Sequence, residues 1–181
     1  PNPTEADYGF FDFSKIYGQS FLCLSLDNEN LDKVGTQLQW FMPWYYQVTM
    51  ADSFENAVPN LFDAAVNDEH ITAAGQNVEQ IKTKGGDSFV SFAKNKAWDS
   101  DLYEDLVAPW WNEDMYAETW MRPFMDPYCK GINGTYTVAN IECVDFGNGD
   151  TFTYTHDHSK YAASIGGSVS CVGGINRMTS Q

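Results

Sequence analysis

Hydrophobic and polar positions alternate along the chain in short segments, and the first clear segment has the period of a helix. Leu31, Val34, Leu38 and Phe41 recur at intervals of three or four residues, the spacing that places side chains on one face of an amphipathic helix. Proline lacks the N–H that a helix interior requires, so the helix should end before Pro43.

Two further stretches have helical patterns that proline interrupts. Residues 51–70 are expected to form two helical pieces that separate near Pro59, and residues 100–111 are expected to form one short helix that Pro109 stops. Ser, Thr, Asp and Asn are preferred at the N-cap, the residue just before a helix, because their side chains accept hydrogen bonds from the free N–H groups of the first turn. On that basis the expected caps are Asp52 or Ser53 for the earlier stretch and Asp99 or Ser100 for the later one.

Strand-like runs occupy much of the remaining chain. Residues 78–83 and 88–94 flank the sequence KGGD, whose glycines suit a tight reversal, so together they predict a β-hairpin. The other strand candidates are residues 21–26, 44–50, 115–121, 136–146, 150–155 and two short strands around Gly166 and Gly167. Because helices and strands are interspersed, the pattern predicts an α/β or α+β domain.

Length, composition and charge restrict the functional classes. The chain has 181 residues, enough for one ordinary domain, and its longest apolar runs are too short to cross a membrane. Its net charge of -15 repels polyanions at neutral pH and argues against nucleic acid binding there, but this repulsion weakens in an acidic compartment. The chain starts without Met and without a signal-peptide pattern, so we expect either a processed product or an incomplete sequence, from which a targeting segment could have been lost.

The cysteines and one sequon suggest a compartment. The four cysteines contain no CxxC pair, which argues against a zinc site. They fit either disulfides in a secreted or lysosomal protein or buried free thiols, and their number does not separate these readings. Asn133 begins an Asn-Gly-Thr sequon, a candidate glycosylation site. The four disulfide candidates are Cys23, Cys129, Cys143 and Cys171.

Candidate chemistry is concentrated in the sequence THDHSKY. On a strand, His158 and Lys160 would project from the same face, where an imidazole can attack phosphorus or shuttle a proton and an ammonium can hold phosphate oxygens. His156 is either a neighbour in that site or a bystander turned away by a bulge. Asn176 and Arg177 downstream add an amide and a guanidinium suited to phosphate.

Five motifs in order carry a family resemblance. They are YGQSFLCLSL at residues 17–26, SFVSFAKNKAWDSDLYEDLVAP at 88–109, ETW at 118–120, DHSKY at 157–161 and CVGGINRMTSQ at 171–181. In this order they resemble the deoxyribonuclease II family, acid endonucleases of lysosomes and secretions. The resemblance covers nearly the whole chain, with weaker agreement in residues 56–77 and 127–150.

The resemblance implies a fold and a mechanism. The implied fold is phospholipase D-like, a mixed β-sheet flanked by helices in each half of a pseudo-twofold arrangement, with one H-x-K motif from each half. One histidine attacks phosphorus, and the other protonates the leaving 5′ oxygen and later activates water. This chemistry requires no metal or other cofactor and leaves 3′-phosphates on DNA. By resemblance, His158 and Lys160 form the second H-x-K motif and Asn176 is its supporting asparagine.

The chain departs from the family pattern in ways that define the missing part. The first H-x-K motif is absent, so residues 1–181 are interpreted as the C-terminal part of the domain, with the N-terminal half outside the chain. An N-terminal fragment or a second chain would supply the missing motif, and a homodimer is the alternative route. The family usually has Asp where Gly174 stands. The resemblance also implies that three cysteines pair with cysteines outside the chain and that Cys143 is extra.

Three functional readings remain open from the sequence. The leading one is an acid endonuclease of a lysosomal or secreted compartment. The absent first motif and the strong acidity favour a second, a non-catalytic structural or toxin-type protein. The third is a phospholipase D-type enzyme that acts on a lipid phosphodiester. None of the three needs the chain to enter a membrane.

Overall fold

The computed structural model describes residues 22–45, 47–121 and 123–179. The described residues divide into two compact units, one formed by residues 113–176 and the other by residues 22–112 with 177–179. Helices and short strands occur together, so the α+β prediction is confirmed. Within the described part of the chain, no helix is long and apolar enough to span a membrane.

The first long helix of residues 22–112 forms as its hydrophobic spacing predicts. Helix α1 spans Asn28–Phe41, and the Asp27 carboxylate accepts the Asn30 N–H at 2.9 Å as its cap. Met42 then adopts a left-handed conformation (φ 49°) and its N–H bonds to the Leu38 carbonyl, which closes the helix just before Pro43. The predicted end of the helix is therefore confirmed.

The next two helices confirm the predicted break at Pro59. Helix α2 spans Phe54–Ala57 and α3 spans Pro59–Ala65, with proline at the first helical position, where a missing N–H costs nothing. Ser53 holds the cap position of α2, but its side chain makes no capping hydrogen bond. Helices α1 and α3 approach so closely at Gly35 that a Cβ there would lie 2.1 Å from the Leu61 nitrogen.

The predicted β-hairpin is also confirmed. Strand β1 (Gln76–Lys82) pairs antiparallel with β2 (Ser88–Lys94), and the reversal includes Gly86 at a φ of 97°, which favours glycine. Buried polar side chains of α1 bond to this hairpin. The Asn30 side-chain oxygen accepts the Lys82 N–H at 2.8 Å, and the Gln37 amide donates to the Ser91 carbonyl at 2.6 Å.

The helical segment after the hairpin forms, but its cap and its end differ from the prediction. A π-helical turn at Tyr103–Val107 continues into α4, Ala108–Trp111. Its cap is Asp101, because this residue, and neither Asp99 nor Ser100, accepts the N–H groups of the first turn. Pro109 lies inside this continuous helical segment, which ends two residues later at Trp111, so the proline does not stop the helix.

The unit of residues 113–176 is built on a four-stranded mixed sheet in the order β4-β3-β7-β8. Strand β3 (Met115–Glu118) runs parallel to β4 (Val138–Asn140) and antiparallel to β7 (Lys160–Ser164), which pairs with β8 (Ser170–Gly173). A separate small hairpin pairs β5 (Cys143–Asp145) with β6 (Thr151–Thr153). The buried residues of the sheet include Met115, Ala117, Val138 and Ala162.

Two predicted strands do not form in the described residues. Residues 22–26 are irregular, and Leu22 is 52% exposed, so this apolar run is not a buried strand; residues 17–21 lie outside the described residues. Residues 44–50 are likewise irregular, apart from Tyr46, which is outside the description. An apolar run becomes a strand only where another strand offers backbone partners, and the spacing of hydrophobic residues does not encode that.

Candidate active site

The HxK sequence lies at the start of β7: His158 and Ser159 directly precede the strand, and Lys160 is its first residue. Asp157 and Ser159 are buried, whereas His158 and Lys160 between and after them are half-buried. The Asp157 carboxylate accepts both the Ser159 N–H at 2.9 Å and the Ser159 hydroxyl at 2.5 Å. These two hydrogen bonds hold Asp157 and Ser159 on the buried side, and the side chains of His158 and Lys160 lie on the more exposed side.

His158 and Lys160 are brought together through the main chain as well as by their spacing. The Lys160 Nζ donates a hydrogen bond to the His158 carbonyl oxygen. The His158 ring packs against the indole of Trp120, with ring centroids 3.5 Å apart and planes inclined at 59°. The indole limits the orientations of the imidazole, which is the requirement for a group that attacks phosphorus or transfers a proton.

A buried acid lies next to this pair. Glu118 ends β3 directly opposite Tyr161 of β7, and its side chain is 1% exposed. Burial and the nearby Asp157 carboxylate raise the pKa of Glu118 to about 8, with Lys160 opposing the change. Burial also lowers the pKa of Lys160, against the effect of the two carboxyl groups. Burial, Glu118 and Asp157 raise the pKa of Tyr161 to about 12.

Asn176 and Arg177 have different surroundings. Asn176 is buried and belongs to the same compact unit as His158 and Lys160. Arg177 belongs to the other unit, where its side chain is fully buried and its Nε donates to the Asp101 carboxylate at 2.8 Å. In this arrangement the Arg177 guanidinium is part of a buried ion pair and presents no exposed surface to a phosphate.

His156 lies in the exposed turn after β6. Its Nδ1 is 3.1 Å from the Thr153 hydroxyl and 3.2 Å from the Thr155 hydroxyl. Its N–H donates to the Thr153 carbonyl, so a turn separates it from the strand that begins at Lys160. These contacts favour the bystander reading over a place beside His158.

The sequon and the cysteines are accessible to different extents. Asn133 is exposed, and its side chain bonds to the Cys129 N–H and the Pro127 carbonyl within one loop. All four cysteines are free thiols: three are exposed, and Cys171 is partly buried, which raises the pKa of its thiol. Among the described residues, no group of three His, Cys, Asp or Glu side chains is arranged to hold a metal ion.

Three neighbours of the HxK pair were not singled out as functional from the sequence: Glu118, Trp120 and Asp157. Two of them belong to the ETW motif and the third to DHSKY, so both motifs carried a signal. The signal was incomplete because only the pairing of β3 with β7 places the ETW segment beside the histidine and the lysine.

Comparison with known proteins gives one consistent family. A family model described as deoxyribonuclease II matches residues 1–181. Plancitoxin-1 of Acanthaster planci is 32% identical over 187 residues, which cover 100% of this chain and 51% of that protein. Deoxyribonuclease-2 of Caenorhabditis elegans is 35% identical over 184 residues, covering 100% of this chain and 48% of that protein. Deoxyribonuclease-2-alpha of Rattus norvegicus is 28% identical over 186 residues, covering 97% and 51%. The chain therefore spans about half the length of these relatives.

Proposed function

This chain belongs to the deoxyribonuclease II family, and we propose that it carries one half of the active site of an acid endonuclease that hydrolyses DNA. The observation that carries the proposal is the His158–Lys160 pair, held half-buried by the inward bonds between Asp157 and Ser159. The relatives named deoxyribonuclease-2 support DNA as the substrate.

The proposed reaction proceeds in two displacements. An imidazole nitrogen attacks phosphorus, a P–N bond forms, and the bond from phosphorus to the 5′ oxygen breaks while a second imidazole donates a proton to that oxygen. The second imidazole then takes a proton from water, the resulting hydroxide displaces the first imidazole, and a 3′-phosphate remains. His158 takes one of these two roles, and Lys160 holds the non-bridging oxygens as negative charge develops on them.

The other histidine belongs to the part of the protein that this chain does not contain. Because the chain spans about half the length of its relatives, an N-terminal fragment or a second chain is the proposed source of the other HxK motif. A homodimer that supplies two copies of His158 and Lys160 is the alternative. The mechanism uses no metal ion, and we propose a lysosomal or secreted location.

The remaining proposed sites are one amide, three cysteines and one sequon. Asn176 is proposed as an amide donor that supports the phosphate. Pairing of Cys23, Cys129 and Cys171 with cysteines outside the chain, and a glycan on Asn133, also remain proposals; the free thiols and the exposed loop are compatible with both.

Cleavage of DNA by the native protein, purified together with any chain that accompanies it, tests the proposal. Plasmid DNA should be cut at about pH 5 in the presence of EDTA, and mass spectrometry of the fragments should show 3′-phosphate ends. The His158→Ala variant should lose cleavage, whereas His156→Ala, an exposed histidine two residues away, should retain it. Full activity of His158→Ala, or strict dependence on Mg²⁺, would contradict the mechanism.

A non-catalytic role is the second candidate. The single HxK motif, the charge of -15 and the toxin-type name of the Acanthaster planci relative favour it. A non-catalytic role predicts that the wild type, His158→Ala and His156→Ala all fail to cleave DNA. Hydrolysis of phospholipid vesicles in place of DNA would instead indicate a lipid phosphodiesterase.

A further inference from the structure

Glu118 is an ionisable residue whose burial is not compensated by hydrogen bonds. Its side chain is 1% exposed, and neither carboxyl oxygen has a hydrogen-bond partner among residues 22–45, 47–121 and 123–179. A buried carboxylate without donors loses its hydration and gains nothing in return. The resting form of Glu118 is therefore the neutral acid.

The charged groups around Glu118 come from one neighbouring segment. Tyr161 of strand β7 lies directly opposite Glu118, Lys160 precedes Tyr161 in the same strand, and Asp157 lies just before that strand. The charges of Asp157 and Lys160 both act on Glu118. Strand β4, on the other side of β3, contributes Val138–Asn140, which contain no ionisable side chain. Two carboxyl groups and one ammonium thus share this corner of the sheet.

The charge balance of this group depends on the proton held by Glu118. With Glu118 neutral, the negative charge of Asp157 and the positive charge of Lys160 cancel. With Glu118 ionised, the same corner would carry a net charge of minus one, and Lys160 would be attracted to a second carboxylate. An ammonium has three N–H donors, and the His158 carbonyl accepts one of them, so two remain for a phosphate or for a carboxylate.

We propose that Glu118 is a positioning residue that acts through Lys160: as a neutral acid it leaves the ammonium available to phosphate oxygens, and as a carboxylate it withdraws the ammonium into an internal ion pair. This inference rests on the proposed function, because it assumes that Lys160 binds phosphate. Ionisation releases one proton from Glu118 to solvent and changes no covalent bond other than that O–H.

The proposal sets a pH range for the availability of Lys160. The pKa of Glu118, raised to about 8, keeps the residue neutral throughout the acid range and largely neutral at pH 7. Lys160 is therefore free of Glu118 under the acidic conditions of the proposed reaction. The ammonium should be withdrawn only as the pH rises through about 8.

Carbon-13 NMR titration of the 181-residue chain tests the proposal without measuring catalysis. The carboxyl carbon of Glu118 should titrate at about pH 8, well above the ordinary 4.5. The ε-carbon of Lys160 should show an inflection at the same pH in addition to its own titration. In Glu118→Gln the Lys160 inflection at that pH should disappear. The matched control Glu113→Gln, whose carboxylate accepts from Ser168 away from Lys160, should retain it.

Inorganic phosphate serves as the probe of Lys160 itself. Phosphate affinity of the wild type should decrease as the pH rises from about 7 to 9, and the decrease should be shallower in Glu118→Gln. Lys160→Met should abolish the specific binding at every pH.

Separate results overturn the inference and the proposed function. Titration of Glu118 near 4.5, or a Lys160 profile that Glu118→Gln leaves unchanged, overturns the positioning role even if DNA is cleaved. If the wild-type protein does not cleave DNA, the proposed function is overturned, whereas the two NMR inflections, and with them the role of Glu118 towards Lys160, are unaffected. Both inflections are measured in the wild type. If Glu118→Gln does not fold, the presence or absence of a shared inflection of Glu118 and Lys160 near pH 8 in the wild type still decides the proposal.

Discussion

Removal of the Asp101 carboxylate should destabilise the unit of residues 22–112 and 177–179 more than any surface substitution there. One carboxylate oxygen accepts the Arg177 Nε–H at 2.8 Å, and both side chains are fully buried. The other oxygen accepts the N–H groups of Tyr103 at 2.8 Å and Glu104 at 3.0 Å. Asp101 therefore caps a helical segment and neutralises a buried guanidinium at the same time.

The expected magnitude follows from these two roles. Breaking a buried ion pair by removing one partner costs about 3–5 kcal/mol, and loss of a helix cap costs about 1 kcal/mol. Asp101→Ala should therefore reduce the free energy of unfolding by roughly 4–6 kcal/mol, a large share of the ~5–15 kcal/mol typical of a domain. Asp101→Asn cannot serve both sides, because one of its two terminal atoms is a donor, so it should cost about 3–5 kcal/mol.

Urea denaturation of the two variants, of Arg177→Met and of the double variant Asp101→Asn with Arg177→Met measures these terms. The double variant should be more stable than the sum of the single effects predicts, by about 2 kcal/mol or more, since it leaves no unpaired buried charge. Additive effects, or a loss below about 1 kcal/mol for Asp101→Asn, would refute the reasoning. If Arg177 instead served as a phosphate ligand, Arg177→Met would leave the urea midpoint near the wild-type value and weaken phosphate binding.

Three further substitutions or labelling experiments test other parts of the structure. Gly35→Ala should destabilise the chain by about 1–3 kcal/mol in urea denaturation, because its Cβ would lie 2.1 Å from the Leu61 nitrogen, whereas Gly174→Ala, with open space around it, should be near neutral. Iodoacetamide labelling of the folded 181-residue chain by itself, read by mass spectrometry, should modify the three exposed cysteines faster than Cys171, whose thiol pKa burial raises; equal rates would contradict that burial. Because the folded pKa of Glu118 is raised to about 8 from 4.5, the stability that it contributes is fully present below about pH 4.5 and is lost as the pH rises through about 8. Between pH 5 and pH 7 the free energy of unfolding of the wild type should therefore decrease by roughly 2–3 kcal/mol more than that of Glu118→Gln. Parallel plots of unfolding free energy against pH for the two proteins would contradict this.

Local features of the fold were predictable from the sequence because their causes are local. The hydrophobic period of α1 and the glycines between β1 and β2 act within a few residues of the structure they specify. Caps were less predictable: Asp99, Ser100 and Asp101 are adjacent acceptors, and only the arrangement of the helical turn decides that Asp101 is the one used. The predicted stop at Pro109 was wrong because the helical segment, which includes a π-helical turn before the proline, continues through it to Trp111.

The candidate site shows where sequence reasoning meets its limit. His158 and Lys160 became candidates because their spacing and residue types suit phosphate chemistry and because the motifs around them, taken in order, resemble one family. Arg177 has an equally suitable side chain, yet its guanidinium is buried against Asp101, a partner that no spacing rule connects to it. Glu118 is the opposite case: nothing in the sequence distinguishes it from the other acids of an acidic chain, and only the pairing of β3 with β7 buries it. Residue type thus suggests a chemistry, and long-range pairing decides which residues can perform it.

The net negative charge of the chain acts on DNA at long range, whereas the proton on Glu118 acts locally on Lys160, and the two change in different pH ranges. The net charge of -15 arises largely from exposed carboxylates, which begin to protonate only near their ordinary pKa of about 4, so DNA approaching at neutral pH meets a repulsive field. Glu118, in contrast, is already neutral well above that range, so Lys160 is available before the surface field has weakened. In the proposed enzyme, Glu118 would therefore not impose an acid requirement. That requirement would come from the surface charge, together with the need for one protonated and one neutral imidazole in the reaction.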